Sequence, residues 1–524
     1  MATATKDPHL SEDAQTSSAG RYRQPALMGL LGSTLITVAA SLPGSPFAFK
    51  VPGAWFFGTP PARLGGAVAH ASGGMLFAEL AGGFAGIVLL SRAWLAITRT
   101  VARRAETRPG RLARILALWS APLLVAPPLF SDDIYSYAAQ GEMVSHHISP
   151  YLYGPGVLGA TPFSSLARGV WINTPSPYGP LASGLDGRIV ALADHRVLLS
   201  LVLLRLAAIV GVVLMAVFVP SLARSYGRDP ALAFSLGVLN PLVLLFLIGS
   251  GHNDALMIGL LVAGLSVARR GRPAWGMVIC ALAGAIKIPG LVGVFAIAWT
   301  CRGALGSNWR RALMLAEAVV ISATTFEVLS ALFGVGWGWV RTIGASDMVT
   351  NWITPADVAA KLLRGLSAVL HVDVSSSAFL TVEHVVGPLV AAFVCVWALR
   401  RLPSIGLPRA LGLSLLAVVL LGPIVQPWYL LWGIAILAIT AGARTSAAVA
   451  LLSVSVSLLG VVGLGELSGE LTSLNILYQL LFTLLLAAVV VVPIRTTRPE
   501  GPAARLTANA APWHPLPEWH LLQA

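Results

Sequence analysis

Charge is what this sequence has least of. Only 11% of its 524 residues are Asp, Glu, Lys or Arg, while 56% are hydrophobic. A soluble core of this size cannot hide so much apolar surface (mean hydropathy +0.79). Many runs instead approach the ~20 residues that cross a bilayer. Cysteine is nearly absent too. Cys280, Cys301 and Cys395 lie in or beside apolar runs and none falls in a large polar connection, so no structural disulfide is expected; no CxxC or similar spacing offers a metal site. Acids are few, 22 against 35 bases, leaving a net charge of +13. In a soluble chain that excess would point to nucleic acid. Here the arginines sit in short links between apolar runs, which argues against nucleic acid and makes anionic lipid the partner of the basic face. The first 25 residues are polar and lack the apolar stretch of a cleavable signal, so the first span is expected to be retained. No internal repeat is visible, which weakens a transporter built from duplicated halves.

What is present is a series of apolar runs, near 26–45, 72–98, 112–130, 197–222, 231–249, 253–269, 274–286, 289–300, 311–333, 382–400, 408–424, 428–441, 446–464 and 474–493. Every second link is basic: Arg99 to Arg114, Arg224 and Arg228, Arg269 to Arg272, Arg302 to Arg311, Arg400 to Arg409, Arg444, and Arg495 with Arg498. The positive-inside rule puts these links in the cytoplasm. Residues 274–300 carry arginines on both flanks, so they must cross twice or enter and return, with two short helices meeting at Ile286-Lys287-Ile288-Pro289. The expectation is an all-α polytopic protein of the plasma membrane with about 14 transmembrane helices, or 12 if that hairpin is re-entrant. Residues 1–25 and 496–524 form cytoplasmic tails and 26–495 one transmembrane domain. Its outer loops are 46–71, 131–196 and 334–381, with short amphipathic helices; both termini are inside.

Chemistry-bearing residues collect on the outer connections. Asp132 and Asp133 open SDDIYSYAAQGEMVSHHISPYLYGP at the end of an apolar run. Paired carboxylates at a membrane edge are costly. They serve either as a general base, one of the two raised by the other's charge, or as caps of the next helix together with Ser131. Tyr135, Tyr137 and Gln140 follow on a short helix expected to lie on the membrane surface. His146 and His147 have no third ligand at a sensible spacing, so no metal is expected; His147 and Tyr151 are read as substrate contacts. Tyr178 sits in the stiff loop TPSPYGP. His252, Asn253 and Asp254 stand at the outer start of a span and either cap it or bind an anion there. Lys287 either snorkels or meets a phosphate. Gln426, Trp428 and Tyr429 open another span as an aromatic platform. Glu79, Glu317 and Glu327 lie within spans and Glu466 and Glu470 in an outer turn.

Taken together, SDDIYSYAAQGEMVSHHISPYLYGP, SPYGPL, GHNDALMIGLL, AIKIPG and QPWYLLWG resemble the actinobacterial polyprenol-phosphate-mannose-dependent α-(1→6)-mannosyltransferases, the MptA/MptB group of the GT-C glycosyltransferases, and are nearer MptB. The resemblance spans most of 26–495. It implies a GT-C fold and an active site on the outer face. Mannose would move from polyprenyl-phosphate mannose to a growing α-(1→6) mannan glycolipid of lipomannan and lipoarabinomannan, with inversion. It also implies that Asp132 or Asp133 is the base, with a lean to Asp132, and that Lys287 and His252 meet the leaving phosphate. No nucleotide site, metal or other cofactor is required. Other readings are a transferase of another polyprenyl-linked sugar such as arabinose, and a lipid-linked sugar transporter or flippase. The latter would place ionisable groups at mid-membrane.

Overall fold

The computed structural model describes residues 8–42, 45–48, 73–103, 107–167, 169–301, 308–342, 385–422 and 424–462, with a few more between 363 and 371. Among these residues the elements are helical, and extended pairing is limited to one isolated bridge between Ala48 and Leu129. The helices are α1 (Pro8–Ser41), α2 (Gly73–Arg103), α3 (Pro109–Val125), α4 (Asp133–Ser145), α5 (Pro180–Leu192), α6 (Val197–Ser225), α7 (Pro230–Gly237), α8 (Asp254–Arg269), α9 (Pro273–Ile286), α10 (Val292–Thr300), α11 (Asn308–Phe333), α12 (Gly387–Arg400), α13 (Leu407–Leu421), α14 (Leu430–Ile439) and α15 (Ala443–Val462), joined by short turns. The chain is an all-α membrane protein. Along α6, Leu201, Leu204, Ala208, Val212 and Met215 are buried while Leu206, Val210, Val213 and Val217 are exposed. An apolar row of that length is a liability in water and belongs against lipid.

The run of 14 continuous crossings is not what forms among the described residues. Gly20–Ser41, Phe77–Arg103, α6 and α11 are long and apolar enough to span. Residues Val243–Gly249 form a π-helical segment that makes a fifth span only together with α8, at a bend of 110°. Helices α9, α12, α13 and α14 have 14, 14, 15 and 10 residues, short of a full crossing. Hydropathy registers apolar runs and not the breaks inside them. The expected span 231–249 breaks at Asn240-Pro241. There the Asn240 side chain donates to Leu236 O (2.9 Å) and to Ser453 Oγ (2.7 Å) and accepts from Leu242 N (2.9 Å). Pro241 adds no donor of its own. Residues 274–300 do break at Lys287, into α9, a 3-10 turn Ile288–Leu291, and α10. The expected span 474–493, Glu466, Glu470, both tails beyond the bounds above and most of loops 46–71 and 334–381 lie outside the described residues.

One further expectation is corrected. Helix α4 does not lie on a surface: Ile134 to Met143 are all buried, because its alanines and tyrosines let it pack on every side, against α5 and α6.

Small residues bring the helices close enough to fix the site. A Cβ on Gly211 of α6 would stand 2.2 Å from the Ala255 carbonyl carbon, and one on Gly259 of α8 would stand 2.5 Å from Gly211 O. Both obstacles are backbone, which a rotamer change cannot relieve. Gly211→Ala is therefore expected to push α8 away from α6 exactly where α8 begins, costing about 1–3 kcal/mol. A lowered melting temperature of the purified chain, with loss of activity in step, checks this; an unchanged melting temperature would show that the two helices part freely.

Candidate functional site

The site is built where three chain reversals meet: the entry to α4, the corner before α8 and the hairpin between α9 and α10. Phe130, buried and in the left-handed region (φ 58°), turns the chain from α3 into Ser131-Asp132-Asp133. Its N–H donates to Phe47 O (2.8 Å), and Leu129 N–H donates to Gly249 O (3.2 Å). Ser250 Oγ donates to Leu129 O (2.5 Å). These bonds tie the start of α4 to the 110° corner. Gly251 at that corner has φ 78°, in the left-handed region that favours glycine. Arg205 of α6 braces the same region. Its guanidinium donates to Leu124 O (3.1 Å), Ala126 O (2.8 Å) and Gly249 O (2.7 Å).

Capping does not use the carboxylates. Asp132 occupies the N-cap position of α4 without a side-chain cap bond, and the Asp133 N–H is instead satisfied by Ser131 Oγ (3.2 Å). Asn253 likewise occupies the N-cap of α8 without a side-chain cap bond.

Asp133 turns to a cluster. His252 Nδ1 lies 3.3 Å from Asp133 Oδ2, close enough for an ion pair though not aligned as a hydrogen bond. Tyr137 Oη donates to the same oxygen (3.4 Å), and Tyr178 Oη donates to Tyr137 Oη (3.5 Å) across a T-shaped ring pair. Burial alone would raise the Asp133 carboxyl; the His252 ring, the Lys287 charge and the Tyr137 hydroxyl outweigh it and hold the group below its ordinary 3.8. It is a carboxylate at neutral pH.

The second half of the cluster is cationic. Lys287 Nζ donates to both oxygens of Asp254 (3.1 Å each), and Trp432 Nε1 donates to Asp254 Oδ1 (2.6 Å). The ammonium also lies over the rings of Tyr429 (4.2 Å), Trp432 (5.4 Å) and Tyr178 (5.5 Å). Burial acts to lower the Lys287 ammonium, but Asp254, with Tyr429 and Asp133, raises it above 10.5. His252 stacks on Trp428 at 3.8 Å, and Tyr429 stacks on Trp432 at 4.5 Å. Gly179 N donates to Ile286 O (3.2 Å), which holds the Tyr178 loop against the Lys287 turn.

Of the residues read from the sequence, Asp133, Tyr137, Tyr178, His252, Asp254, Lys287, Trp428 and Tyr429 come together here. Buried polar atoms of Gln140 (Oε1), His252 (Nε2), Asn253 (both amide atoms), Gln426 (Oε1) and Trp428 (Nε1) have no hydrogen-bond partner within the protein. Tyr135 is buried in α4. Tyr151 is engaged elsewhere, donating to Ser183 Oγ of α5 (3.1 Å). His147 is exposed beyond the far end of α4, about 20 Å along the helix from Asp133. Trp432 and Arg205 were not anticipated. Trp432 is one turn after Trp428, an i, i+4 spacing that could have flagged it; Arg205 is a lone cation in an apolar span, a signal in itself. Glu79 is fully buried in α2, and Glu327 accepts from Trp337 Nε1.

Profiles of known families decide the wider relationship. One described as "Alpha-(1->6)-mannopyranosyltransferase, N-terminal domain", of the MptA/MptB family, matches residues 26–303, and one described as "MptB C-terminal domain" matches 355–495. The chain belongs to the MptA/MptB family. Among curated relatives, a probable α-(1→6)-mannopyranosyltransferase of Mycolicibacterium smegmatis is 31% identical over 83% of this chain and 81% of its own length. α-(1→6)-Mannopyranosyltransferase A of Mycobacterium tuberculosis is 31% identical over 81% of each. α-(1→6)-Mannopyranosyltransferase B of Corynebacterium glutamicum is 31% identical over 64% of this chain and 60% of its own length. No solved structure matches. As a member of this family the chain is a mannosyltransferase.

One buried acid stands apart from the cluster. Asp186 of α5 is 6% exposed, its Oδ2 has no hydrogen-bond partner, and burial pushes its carboxyl well above 3.8. A raised carboxyl keeps a proton in the folded state that the unfolded chain has released, so stability falls as pH rises above the ordinary carboxylate range. Asp186→Asn removes that slope. Its melting temperature is expected to exceed wild type at pH 7 and to equal it near pH 4, read by thermal scans at both values.

Proposed function

We propose that this mannosyltransferase takes mannose from polyprenyl-phosphate mannose at the outer membrane face and adds it, with inversion, to an α-(1→6) mannan glycolipid of the lipomannan and lipoarabinomannan class, within a GT-C fold. The observation that carries the reading is the pairing of an ionised carboxylate, Asp133, with a cationic and aromatic wall, His252, Lys287, Tyr429 and Trp432, at one end of the helices. Names of the relatives support the sugar and the linkage.

Inversion in one step needs a base on one side of the anomeric carbon and a leaving group in line on the other, as in inverting glycosidases. Asp133 takes the proton from the acceptor 6-hydroxyl as the new C–O bond forms. The bond to phosphate breaks, and His252 and Lys287 meet the charge that develops on the departing polyprenyl phosphate. The sequence leaned to Asp132 as base; the cluster geometry favours Asp133. The aromatic stacks give faces for sugar rings, and the unpartnered polar atoms of Gln140, Asn253, Gln426 and Trp428 suit hydroxyls. Exposed apolar faces such as that of α6 let the lipid donor approach from the bilayer.

Orientation is supported by charge. Helix α8 runs from Asp254 to Arg269, α9 returns from Arg272 towards Lys287, and α6 and α12 end at Arg224 and Arg400. These arginines lie at the ends away from Asp254 and Lys287, which the positive-inside rule makes cytoplasmic; the reading puts both termini on that side. The test is the full chain in lipid nanodiscs with radiolabelled polyprenyl-phosphate mannose and a short α-(1→6) mannoside. An extended α-(1→6) product from that donor, and none from GDP-mannose or polyprenyl-phosphate arabinose, is expected. Transfer from the nucleotide sugar, or preferential transfer of arabinose, would overturn the donor assignment.

A further inference from the structure

Helix α4 carries a second cluster at its other end, which the proposed reaction does not use. Glu142 and His146 are one turn apart on one helix face, with Glu142 Oε1 to His146 Nε2 at 3.1 Å. The turn between α5 and α6 brings in His195, whose Nδ1 stands 2.7 Å from Glu142 Oε2. The three ligand atoms all lie within 4.8 Å of one another, and the two imidazole rings are 5.2 Å apart. The sequence had shown only an adjacent histidine pair without a third donor. That donor is His195, which the fold brings in from 53 residues beyond Glu142.

We infer that Glu142, His146 and His195 bind a divalent transition-metal ion of the zinc class, which clamps the C-terminal end of α4 to the α5–α6 turn. Two imidazoles and one carboxylate are a common three-protein-ligand set for zinc, with one position left for water. Nitrogen donors favour zinc, cobalt or nickel over magnesium or calcium. Tight backbone turns present these side chains. His147, Asp194 and His195 are non-glycine residues in the left-handed region (φ 59°, 53° and 54°), three of the five such residues among those described. These turns close on local backbone bonds, His147 N to Val144 O (3.0 Å) and His195 N to Val190 O (3.2 Å), and bring His195 back against the end of α4. The histidine side chains are 55% and 42% exposed, so an ion can enter from solvent, while the carboxylate at 11% is fixed.

The ion stands about 14 Å along α4 from Asp133 and touches no reacting atom. Its role is positioning: both groups ride on one rigid helix, and pinning one end limits the drift of the other.

The full chain, without a polyhistidine tag, would be stripped with chelator in nanodiscs and titrated with Co2+. One equivalent is expected to give the visible d–d band of a low-coordinate site, which Zn2+ then displaces, and to raise the melting temperature; Mg2+ and Ca2+ are expected to do neither. His146→Ala and His195→Ala should each weaken binding roughly tenfold or more, with helix content unchanged by circular dichroism, whereas His147→Ala should keep the band. Because metal affinity is read directly, the result stands apart from any failure of the donor assignment. Absence of a band and of stabilisation in wild type, or equal affinity in a His146→Ala/His195→Ala double variant, would overturn the proposal.

Discussion

Asp133→Asn is expected to lower mannosyl transfer by about 10²–10⁴-fold, the range a positioned general base contributes, while the chain still folds. An amide keeps the shape and still accepts from Tyr137, so the α4 entry remains in place, but it takes no proton at neutral pH. Asp132→Asn run beside it separates the two acids. The larger loss is expected at Asp133, and a larger loss at Asp132 would return the base to the residue that the sequence alone favoured. Stability supplies an independent check. The Asp133 carboxyl sits below 3.8 in the folded chain, so its charge stabilises the fold at pH values above the ordinary carboxylate range, and that contribution is lost as pH falls through the depressed folded value. Wild type should therefore exceed Asp133→Asn in melting temperature at pH 7, with the gap closing below about pH 4. A gap that persists in acid would mean that the substitution acts through packing and not through the charge on Asp133.

How far the sequence revealed this site depends on what kind of signal each residue gave. Acids, histidine and lysine at the edges of apolar runs are costly, so Asp133, His252, Asp254 and Lys287 stood out before any fold was known. That they form one cluster did not follow. It depends on a 110° corner at 250–253 and on a left-handed Phe130, and neither has a hydropathy signature. Trp432 was hidden because tryptophan in an apolar span reads as belt or core; only its bond to Asp254 gives it a role. Helix α4 was misplaced for a similar reason. Tyrosines beside polar residues look interfacial, yet Tyr137 and Tyr178 are inside the protein because they satisfy each other's hydroxyls and Asp133. Among the described residues fewer continuous crossings form than apolar runs, because an apolar run does not report a proline break. Asn240-Pro241 and the short α14 show that several of these helices stop inside the protein and are completed by neighbours, which membrane proteins tolerate only where backbone groups are satisfied within the protein.

Lys287 gives the other large effect, and its interpretation needs two variants. Asp254 is fully buried and draws its compensation from Lys287 and Trp432. Lys287→Met leaves a buried carboxylate without its cation, a loss of about 3–5 kcal/mol, and activity would vanish for that reason alone. Lys287→Met combined with Asp254→Asn removes both charges and keeps an acceptor for the Trp432 N–H, so most of the melting temperature should return. If Lys287 meets the charge on the leaving phosphate, transfer should not return with it. A residual deficit of about 10²–10³-fold is expected, the scale of losing one electrostatic contact to a developing anion. The size of that deficit is the informative quantity. A paired lysine has three donors, two spent on Asp254, and its charge acts at short range without leaving that pair. A double variant that recovers both stability and transfer would make the lysine–aspartate pair a structural clasp between α8 and the α9–α10 turn, and the phosphate charge would then fall to His252.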